Sequence, residues 1–310
     1  MAVAPLFSPD FISGPATSTR PRARASSPVP TRSTSSLPFP KPSRFFLNGI
    51  PIDRMSIEHA TAWVIYTLKS RTAHKPLLIM GPNAQLVTLA ARQPRFAAAL
   101  RSADLAVPDG ISIVLASRIL GKSVPERVTG GDLMERLCIE SPRHNLSVFF
   151  LGGLPGAAEA TARKFERNCP GFRVAGTCCP APGFENNFLE SARIRQQISE
   201  AKPDLLCVAF GAPKQEIWMY ENCPRLPIGA AISVGAAFDT QSGLRRRAPQ
   251  WTHRIGCEWL YRLVREPRRL WRRYLLGNTH FLWLVALQCL HGLMTDRSRR
   301  NALTTPFTPR

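Results

Sequence analysis

An aspartate and an arginine lie in a segment, residues 105–132, whose pattern places both near a ligand-binding edge. Asp109 follows a short apolar run, 105–107, and precedes an apolar pattern at helical spacing, which predicts a strand, a tight turn and a helix. Open α/β sheets bind ligands where their strands end. Arg127 follows, just before the glycine pair 130–131, which we expect to be flexible. A carboxylate and a guanidinium at such an edge predict chemistry on an anionic substrate. The alternative is that Asp109 only caps the helix.

The other apolar runs also end in glycine, proline, asparagine or aspartate. In a parallel sheet these endings meet at one edge, so we expect one crevice, lined by Asn83, Asp109, 152–156 and 211–215. The glycines fit a backbone that approaches a phosphate through N–H groups and a helix N-terminus. The alternative is ordinary turn chemistry, because Gly-Gly-x-Pro-Gly is not the G-x-G-x-x-G fingerprint of dinucleotide-binding proteins.

The elements that position these residues are short apolar runs alternating with helical patterns. The turn dipeptide Asn48-Gly49 predicts a hairpin, and Pro94 marks the start of a short helix. Further strands are predicted for the runs 76–80, 105–107, 146–151, 172–176, 205–210 and 228–234. This alternation predicts a single Rossmann-like α/β domain with a mainly parallel sheet, from residue 44 to residue 243.

The composition is that of a strongly basic protein. The 310 residues include 41 Lys and Arg against 21 Asp and Glu, which gives a net charge of +20. Such an excess points to nucleic acid, an anionic membrane surface or a phosphorylated substrate. The eight cysteines are scattered without any C-x-x-C spacing. This pattern excludes a metal knuckle and a small disulfide scaffold, and it indicates reduced thiols in a cytosolic setting.

Residues 1–43 are rich in Pro, Ser and Arg, with Asp10 as their one acidic residue. Such a segment buries too little apolar surface to offset its ordering entropy, so we predict a disordered basic leader. An organelle transit peptide is the alternative, because it shares this composition; the uninterrupted apolar core of a secretory signal is missing. Residues 296–310 are predicted to form a disordered tail.

The segment 244–295 has the pattern of two short basic amphipathic helices. Apolar residues recur every fourth position while arginines occupy the opposite side, as in Trp251, Ile255, Trp259 and Leu263. Tryptophan-bearing apolar faces with cationic faces are typical of an appendage that lies on a membrane. The later apolar run, 281–290, is too short to span a bilayer, which needs about 20 residues. The alternative is an ordinary helical subdomain with the tryptophans in its core.

Short motifs follow one another in a specific order from about residue 45 to residue 274. They are Pro82-Asn83-Ala84; Val107-Pro108-Asp109-Gly110; Pro125-Glu126-Arg127 with Gly130 and Asp132; Phe150-Leu151-Gly152-Gly153; Gly211-Ala212-Pro213-Lys214-Gln215-Glu216 with Trp218; Gly235 with Phe238-Asp239; Arg247-Ala248-Pro249; Glu258-Trp259-Leu260 with Arg262; and Glu266-Pro267. Any one alone is weak, but the ordered set resembles the WecG/TagA/CpsF family, glycosyltransferase family 26.

The resemblance implies a bacterial, inverting transferase that needs neither a metal nor a cofactor. Members take N-acetylmannosamine, its uronic acid or glucose from UDP and pass it to a saccharide on a polyprenyl pyrophosphate. The products feed teichoic acid linkage units, enterobacterial common antigen or exopolysaccharide. The implied partners are a UDP-sugar, the lipid-linked acceptor and an anionic membrane, without nucleic acid; a homo-oligomer stays open. The implied location is cytoplasmic, peripheral on the inner face of the plasma membrane.

The resemblance also implies roles for individual residues. Asp109 matches the proposed catalytic base, and Arg127 matches an active-site position. The residues that we expect to bind the UDP-sugar donor are Asn83, Gly110, Gly152, Gly153, Gly211, Pro213, Gln215 and Glu216. The C-terminal arginines match a basic appendage that completes the site at the membrane. Those expected to stabilise the leaving group are Arg247, Arg262, Arg269 and Arg272.

The chemistry of the residues agrees with this expectation. Inverting transfer needs one carboxylate to take the proton of the acceptor hydroxyl as it attacks C1 of the donor sugar, a contribution of about 10²–10⁴-fold. The departing UDP needs a metal or fixed cations and N–H dipoles to stabilise its charge. No D-x-D triplet occurs in the chain, so the usual metal–nucleotide clamp is missing. Arginines bind phosphate oxygens in its place.

Two departures from the family pattern and two competing functions remain. Gly81 stands where many members have Thr, which removes a hydroxyl expected to contact substrate, and the leader lies outside the family core, with its role open.

A nicotinamide-dependent enzyme would need the glycine fingerprint and an acid about 20 residues further on. A nucleic-acid- or membrane-binding protein without transferase activity would explain the charge. However, the basic residues gather at the two ends rather than along a sheet or recognition helix.

Overall fold

The computed structural model describes residues 40–70, 75–245, 258–265 and 277–291 of the chain. The first element is the predicted hairpin, in which β1 (Ser43–Leu47) pairs antiparallel with β2 (Ile50–Arg54). Asn48 and Gly49 form its turn with φ angles of 48° and 74°. Both angles are in the left-handed region that a two-residue hairpin turn requires, so the prediction from the dipeptide is confirmed.

A parallel sheet of six strands forms the centre of the protein. Its strands are β3 (Leu77–Met80), β4 (Leu105–Ala106), β5 (Ser147–Gly152), β6 (Arg173–Cys178), β7 (Leu205–Ala209) and β8 (Ala230–Ser233). They are arranged in the order β4-β3-β8-β7-β5-β6, and every neighbouring pair is parallel. The predicted α/β class with a mainly parallel sheet is therefore confirmed.

Helices cover both faces of this sheet. They are α1 (Ile57–Ser70), α2 (Ala84–Ala90), α3 (Pro94–Arg101), α4 (Ile111–Ile119), α5 (Gly130–Glu140), α6 (Ala157–Asn168), α7 (Phe188–Ala201), α8 (Lys214–Asn222), α9 (Ala237–Gln241), α10 (Glu258–Arg265) and α11 (277–291). One core cluster joins the sheet to α2, α3, α4, α7, α8 and the hairpin, and a second joins its other face to α1, α5, α6 and α9. Because side chains alternate along a strand, each strand contributes to both clusters.

Two carboxylates join elements of this framework. The Asp53 side chain is 0% exposed and accepts hydrogen bonds from Arg44 Nε and Nη2, each at 2.7 Å. It also accepts one from Ala106 N at 2.7 Å, which ties the hairpin to β4. In the middle of the sheet, Asp204 Oδ2 accepts hydrogen bonds from the backbone and hydroxyl groups of Ser147 at 2.8 and 2.9 Å. The loop ends are thus held by specific polar contacts.

The prediction that the glycine pair 130–131 is flexible was wrong. The pair begins α5 and belongs to the helix. Thr129 caps this helix, with its hydroxyl accepting a hydrogen bond from Asp132 N at 3.0 Å. A Cβ atom on Gly130 would lie 2.1 Å from the Ser233 carbonyl oxygen. The first residue of α5 is therefore a glycine because the helix touches the backbone at the end of β8.

The α11 helix packs on the same core cluster as the hairpin, beyond residue 243 where the sequence analysis ended the α/β domain. Phe281, Leu284 and Val285 are buried there. Gln288 fixes the helix to β1, donating to Phe46 O at 2.8 Å and accepting from the backbone of the hairpin turn at 2.9 Å. No helix in the described ranges is long and apolar enough to cross a membrane. The leader up to residue 39, the predicted tail 296–310 and about half of the predicted appendage 244–295 lie outside the described residues.

Candidate active site

The carboxyl ends of β4 and β3 bring together Asp109 and the loop before α2. Asp109 N donates to Pro82 O at 3.2 Å. A Cβ atom on Gly81 would lie 3.3 Å from Asp109 Cβ and 3.6 Å from its Oδ2, and one on Gly110 would lie 3.7 Å from Asn83 Cβ. Asp109 and Asn83 are half-buried. Three of the predicted site residues therefore lie in one corner of the sheet edge.

The two polar side chains of this corner each lie beside the start of a helix. The N-cap of α4 is Gly110, with φ 101°, and a glycine has no side chain to make a capping hydrogen bond. The alternative that Asp109 caps this helix stays a prediction. Asn83 does cap a helix, because its Oδ1 accepts from Leu86 N at 3.0 Å at the start of α2. This cap orients the Asn83 amide and does not use its Nδ2 group.

Arg127 lies on a segment that is hydrogen-bonded to the Asp109 loop. The next residue, Val128, donates its N–H to Pro108 O at 3.0 Å. Arg127 Nη2 lies 3.7 Å from Asp132 Oδ2, with side chains 20% and 24% exposed. A guanidinium that is held but partly accessible is suited to an anionic ligand.

Gln215 joins the loops that follow β7 and β8. Its Oε1 accepts hydrogen bonds from Gly211 N at 3.2 Å and from Gly235 N at 3.1 Å. Its Nε2 donates to Glu216 Oε1 at 2.7 Å. The side chain is buried, so these contacts form inside the protein. Gln215 thus joins the two glycine loops and fixes their positions relative to each other. The sequence pattern did not indicate this positioning role.

Glu216 supports this arrangement from within the core. It is fully buried, and its Oε2 has no hydrogen-bond partner in the described part of the chain. Burial raises the pKa of Glu216 to about 7, and the hydrogen bond from Gln215 lowers it only in part. A carboxyl group inside the core does not face a ligand in the crevice. Glu216 was predicted to bind the donor, but its position makes it a support for Gln215.

Gly211 and Pro213 shape the turn into α8. Gly211 has φ +76°, and the peptide bond between Ala212 and Pro213 is cis. Gln215 N donates to Gly211 O at 3.0 Å, which closes the turn. The Lys214 ammonium pairs with Glu185 and ties this turn to the loop before α7. Both predicted residues therefore lie at the carboxyl end of β7, on the crevice edge.

Gly152 and Gly153 are required by close packing at the end of β5. Their φ angles are 99° and 85°. A Cβ atom on Gly152 would lie 2.9 Å from Ala209 O, and one on Gly153 would lie 3.2 Å from Phe238 Cδ2. The Gly153 N–H, which was predicted to approach a phosphate, already donates to Ala209 O at 3.0 Å. This geometry fits the alternative of turn chemistry.

The site residues follow four neighbouring strands. Asp109, Asn83, Gly235 and Gly211 come after β4, β3, β8 and β7, which are adjacent in the sheet. With about 4.8 Å between strands, this edge is roughly 14 Å long. These residues therefore lie at one edge of the sheet, and the crevice stays a prediction. The charged side chains among the predicted site residues of this edge are the Asp109 carboxylate and the Arg127 guanidinium.

A comparison with known protein families shows the class of this protein. The model of the Glycosyl transferase WecG/TagA/CpsF family matches residues 45–294. The chain belongs to this family. The match extends through the hairpin, the whole sheet and α11, so the fold described above is the family domain.

Two relatives are informative members for comparison. A protein of Bacillus spizizenii strain W23 is 32% identical over 203 residues, covering 65% of this chain and 76% of its own. A protein of Bacillus subtilis strain 168 is 28% identical over 194 residues, covering 62% of this chain and 73% of its own. Each is named N-acetylglucosaminyldiphosphoundecaprenol N-acetyl-beta-D-mannosaminyltransferase.

The arginines predicted for the leaving group of this glycosyltransferase fall beyond the site described here. Arg247, Arg269 and Arg272 lie outside the described residues, and Arg262 lies in α10 but its side chain is not described. Their predicted role stays a prediction. Within the described ranges, no group of three His, Cys, Asp or Glu side chains is placed to hold a metal ion.

One site residue was missed by the sequence analysis. Asp239 is buried, and its Oδ1 accepts from Leu154 N at 3.0 Å, which fixes the glycine loop after β5. Its Oδ2 lies 3.9 Å from Arg245 Nε, and Arg245 N donates to Asp239 O at 2.7 Å. The sequence signal that could have identified Asp239 as a site residue is its place beside Phe238 in one of the ordered family motifs. Asp239 connects the crevice to the start of the basic C-terminal segment.

Proposed function

We propose that this family member is an inverting glycosyltransferase that moves a sugar from a UDP-sugar to a saccharide carried on a polyprenyl diphosphate. The names of the two relatives support N-acetylmannosamine as the sugar and N-acetylglucosaminyldiphosphoundecaprenol as the acceptor. The observation that carries the mechanism is the position of Asp109. It is a half-buried carboxylate at the carboxyl edge of the sheet, and it lies against Gly81.

Asp109 is the general base in this proposal. Its carboxylate accepts the proton of the acceptor hydroxyl while that oxygen bonds to C1 of the donor sugar. The bond from C1 to the UDP oxygen breaks on the opposite face, so the configuration at C1 inverts. The hydrogen bond from Asp109 N to Pro82 O joins the loops that follow β4 and β3 and holds the base in place. Positioned bases of this kind contribute about 10²–10⁴-fold to the rate.

Fixed cations stabilise the departing UDP in this proposal. Arg127 is the described candidate, because its segment is bonded to the Asp109 loop through Val128 N and Pro108 O. A guanidinium binds two phosphate oxygens at once and keeps its charge at every physiological pH. We propose that Arg247, Arg262, Arg269 and Arg272 add to this charge from the C-terminal segment. Without a metal clamp, electrostatic stabilisation by such groups is the main catalytic term.

The glycine loops bind the donor, and Gln215 keeps them in place. Because Gln215 Oε1 holds both Gly211 N and Gly235 N, the two loop ends cannot separate without breaking buried hydrogen bonds. A site whose supporting residues are locked by packing and hydrogen bonds is held close to its productive geometry. The location that we propose is peripheral, on the inner face of the bacterial plasma membrane, because the acceptor is lipid-linked and the chain carries a charge of +20.

The test is the substitution Asp109→Asn in the full chain. Transfer from UDP-N-acetylmannosamine to a polyprenyl-diphosphate-linked N-acetylglucosamine should fall about 10²–10⁴-fold, because the amide cannot accept the proton. UDP binding, measured by calorimetry, and the unfolding midpoint serve as controls and should not change. Turnover close to that of the parent chain would remove Asp109 from the role. The assay contains EDTA, and a requirement for added divalent ions would contradict the arginine scheme.

A further inference from the structure

A basic groove lies away from the crevice, between the hairpin, the end of α4 and α11. Its volume is about 630 Å³. Its lining contains no acidic residue and consists of Ser43, Arg44, Phe45, Phe46, Arg54, Leu120, Lys122, Gln288 and His291. The site described above uses none of these residues.

The positive charge of this groove comes from Arg54 and Lys122. Arg44 is neutralised by its bidentate contact with buried Asp53. Arg54 donates through Nε to the Ser123 carbonyl oxygen at 2.9 Å, which orients the guanidinium without neutralising it. Neither Arg54 nor Lys122 has a carboxylate within 4.0 Å among the residues that the structure describes. Arg54, oriented by this bond, and Lys122 therefore line the groove as positive charges that are not neutralised.

Exposed apolar side chains flank these cations. Phe46 is 56% exposed on β1, and on α4 Leu115 is 49% and Ile119 is 63% exposed. Leu115 and Ile119 are four residues apart, so they share one helix face, where Arg118 is also exposed. Apolar and basic side chains that alternate on one exposed face are typical of elements that lie in a membrane interface.

We propose that this groove and the outer face of α4 form a docking surface for anionic phospholipid headgroups of a bilayer. Arg54 and Lys122 bind lipid phosphates, while Phe46, Leu115 and Ile119 enter the headgroup region. Two of the three flanking side chains, Leu115 and Ile119, are aliphatic, which favours lipid over single-stranded nucleic acid, because single strands are bound by aromatic platforms on which bases stack. The inference builds on the membrane location in the proposed function and assigns a contact to the folded α/β domain itself.

The position of this surface suits a lipid-linked acceptor. The α4 helix begins at Ile111, directly after Asp109 and Gly110, and ends at Ile119. At about 1.5 Å per residue, the docked end of α4 lies roughly 12 Å from the catalytic loop. The diphosphate and sugar of a lipid-linked acceptor project from the bilayer surface. They would reach Asp109 while the lipid chain stays in the membrane.

The experiment is flotation of the full chain with vesicles of phosphatidylcholine alone or mixed with phosphatidylglycerol. The test variant is Arg54→Gln with Lys122→Gln. The matched control is Arg163→Gln with Arg167→Gln, which removes the same charge from exposed positions of α6, on the opposite face of the sheet. Each basic residue at an anionic surface contributes about fivefold to partitioning, so we expect roughly 25-fold weaker binding for the test variant. The control should change binding less than about twofold.

A second pair of variants tests the apolar contact. Ile119→Ser should weaken vesicle binding several-fold, whereas Ile139→Ser, at an exposed position of α5 on the other face, should not. Transfer to a water-soluble acceptor analogue should be unchanged in all four variants. Its loss in the groove variant would overturn the proposal by giving the groove a role in the reaction.

Three results would overturn the docking surface. If the groove and control variants bind vesicles equally, the contact lies elsewhere and the proposed function still stands. If the parent chain does not bind anionic vesicles, this surface and the membrane location both fail, while the transfer assay still reports on Asp109. If DNA or RNA competes for the parent chain but not for the groove variant at matched salt, the groove binds nucleic acid.

Discussion

We expect the substitution Glu216→Gln to stabilise the protein at neutral and alkaline pH. The Glu216 side chain is fully buried, and burial raises its pKa to about 7 against the opposing hydrogen bond from Gln215. A glutamine keeps the size of the side chain and an acceptor oxygen for Gln215 Nε2, but it carries no charge. The variant therefore removes the titration and keeps the contact.

The magnitude follows from the difference between the folded and the unfolded chain. The ordinary pKa of a glutamate is 4.5, and the folded value is about 7. Because the folded value is the higher, this group contributes fully to stability below pH 4.5, and the contribution is lost as the pH rises through 7. One pKa unit corresponds to about 1.4 kcal/mol. The parent chain therefore loses about 3 kcal/mol across this window, with about 2 kcal/mol of it between about pH 5.5 and about pH 7.5.

The assay is equilibrium unfolding in urea at about pH 5.5 and about pH 7.5 for the parent chain and the variant. The difference between the two chains cancels the other titrating groups, so the advantage of Glu216→Gln should grow by about 2 kcal/mol with rising pH. The control is Glu166→Gln, at an exposed carboxyl of α6, which should follow the parent chain. If the parent chain and Glu216→Gln lose stability equally with pH, Glu216 is not a buried carboxyl that ionises at a cost.

Two further substitutions test the packing that holds the site. Gly130→Ala should destabilise the protein by about 2 kcal/mol in the same unfolding assay, because its Cβ would meet Ser233 O at 2.1 Å. Gly131→Ala, whose Cβ would meet a side chain at 3.2 Å, should cost less, and the reverse order would contradict this account. Asp53→Asn should cost about 2 kcal/mol because buried Asp53 binds Arg44 through both oxygens. An unchanged midpoint would show that this ion pair does not hold the hairpin.

The fold was predictable where local signals agree with the global arrangement. The run that became β7, Leu205–Ala209, is continuously apolar and buried on both faces, as a central parallel strand must be. Pro94 begins α3, and the Asn48-Gly49 turn has the backbone angles of a tight hairpin. In each case the residue types fit one local structure for one physical reason, so the sequence pattern alone predicts that structure.

The parts that were not predictable depend on contacts between residues distant in sequence. From sequence alone, the glycine that begins α5 suggests a flexible loop. The structure shows that Ser233 O occupies the space that a side chain at this position would need. The apolar run of α11 has the same composition whether it contacts lipid or protein, and Phe281 is buried because the helix packs onto the core cluster that also contains the hairpin. Amphipathic patterns specify that one face is covered and do not specify what covers it.

The same limit applies to the candidate site. Asp109 and Asn83 were correctly placed at one edge, because the ends of parallel strands meet there. The function of Gln215 was not visible, since a glutamine near a glycine turn suggests ligand contact equally well. Its Oε1 instead accepts hydrogen bonds from Gly211 N and Gly235 N, which lie far apart in the sequence. Only a structure shows which polar side chains serve the backbone and which are left for the substrate.

The glycine at position 81 links the departure from the family pattern to the base that we propose. Its side-chain position points at Asp109, since a Cβ there would lie 3.6 Å from Asp109 Oδ2. A threonine hydroxyl at this place would be close enough to donate to the carboxylate, and a donated hydrogen bond favours the ionised form and weakens the base. The glycine leaves that bond out. In the proposed mechanism, a residue with a hydroxyl at position 81 would therefore act on Asp109 as well as on contact with the substrate.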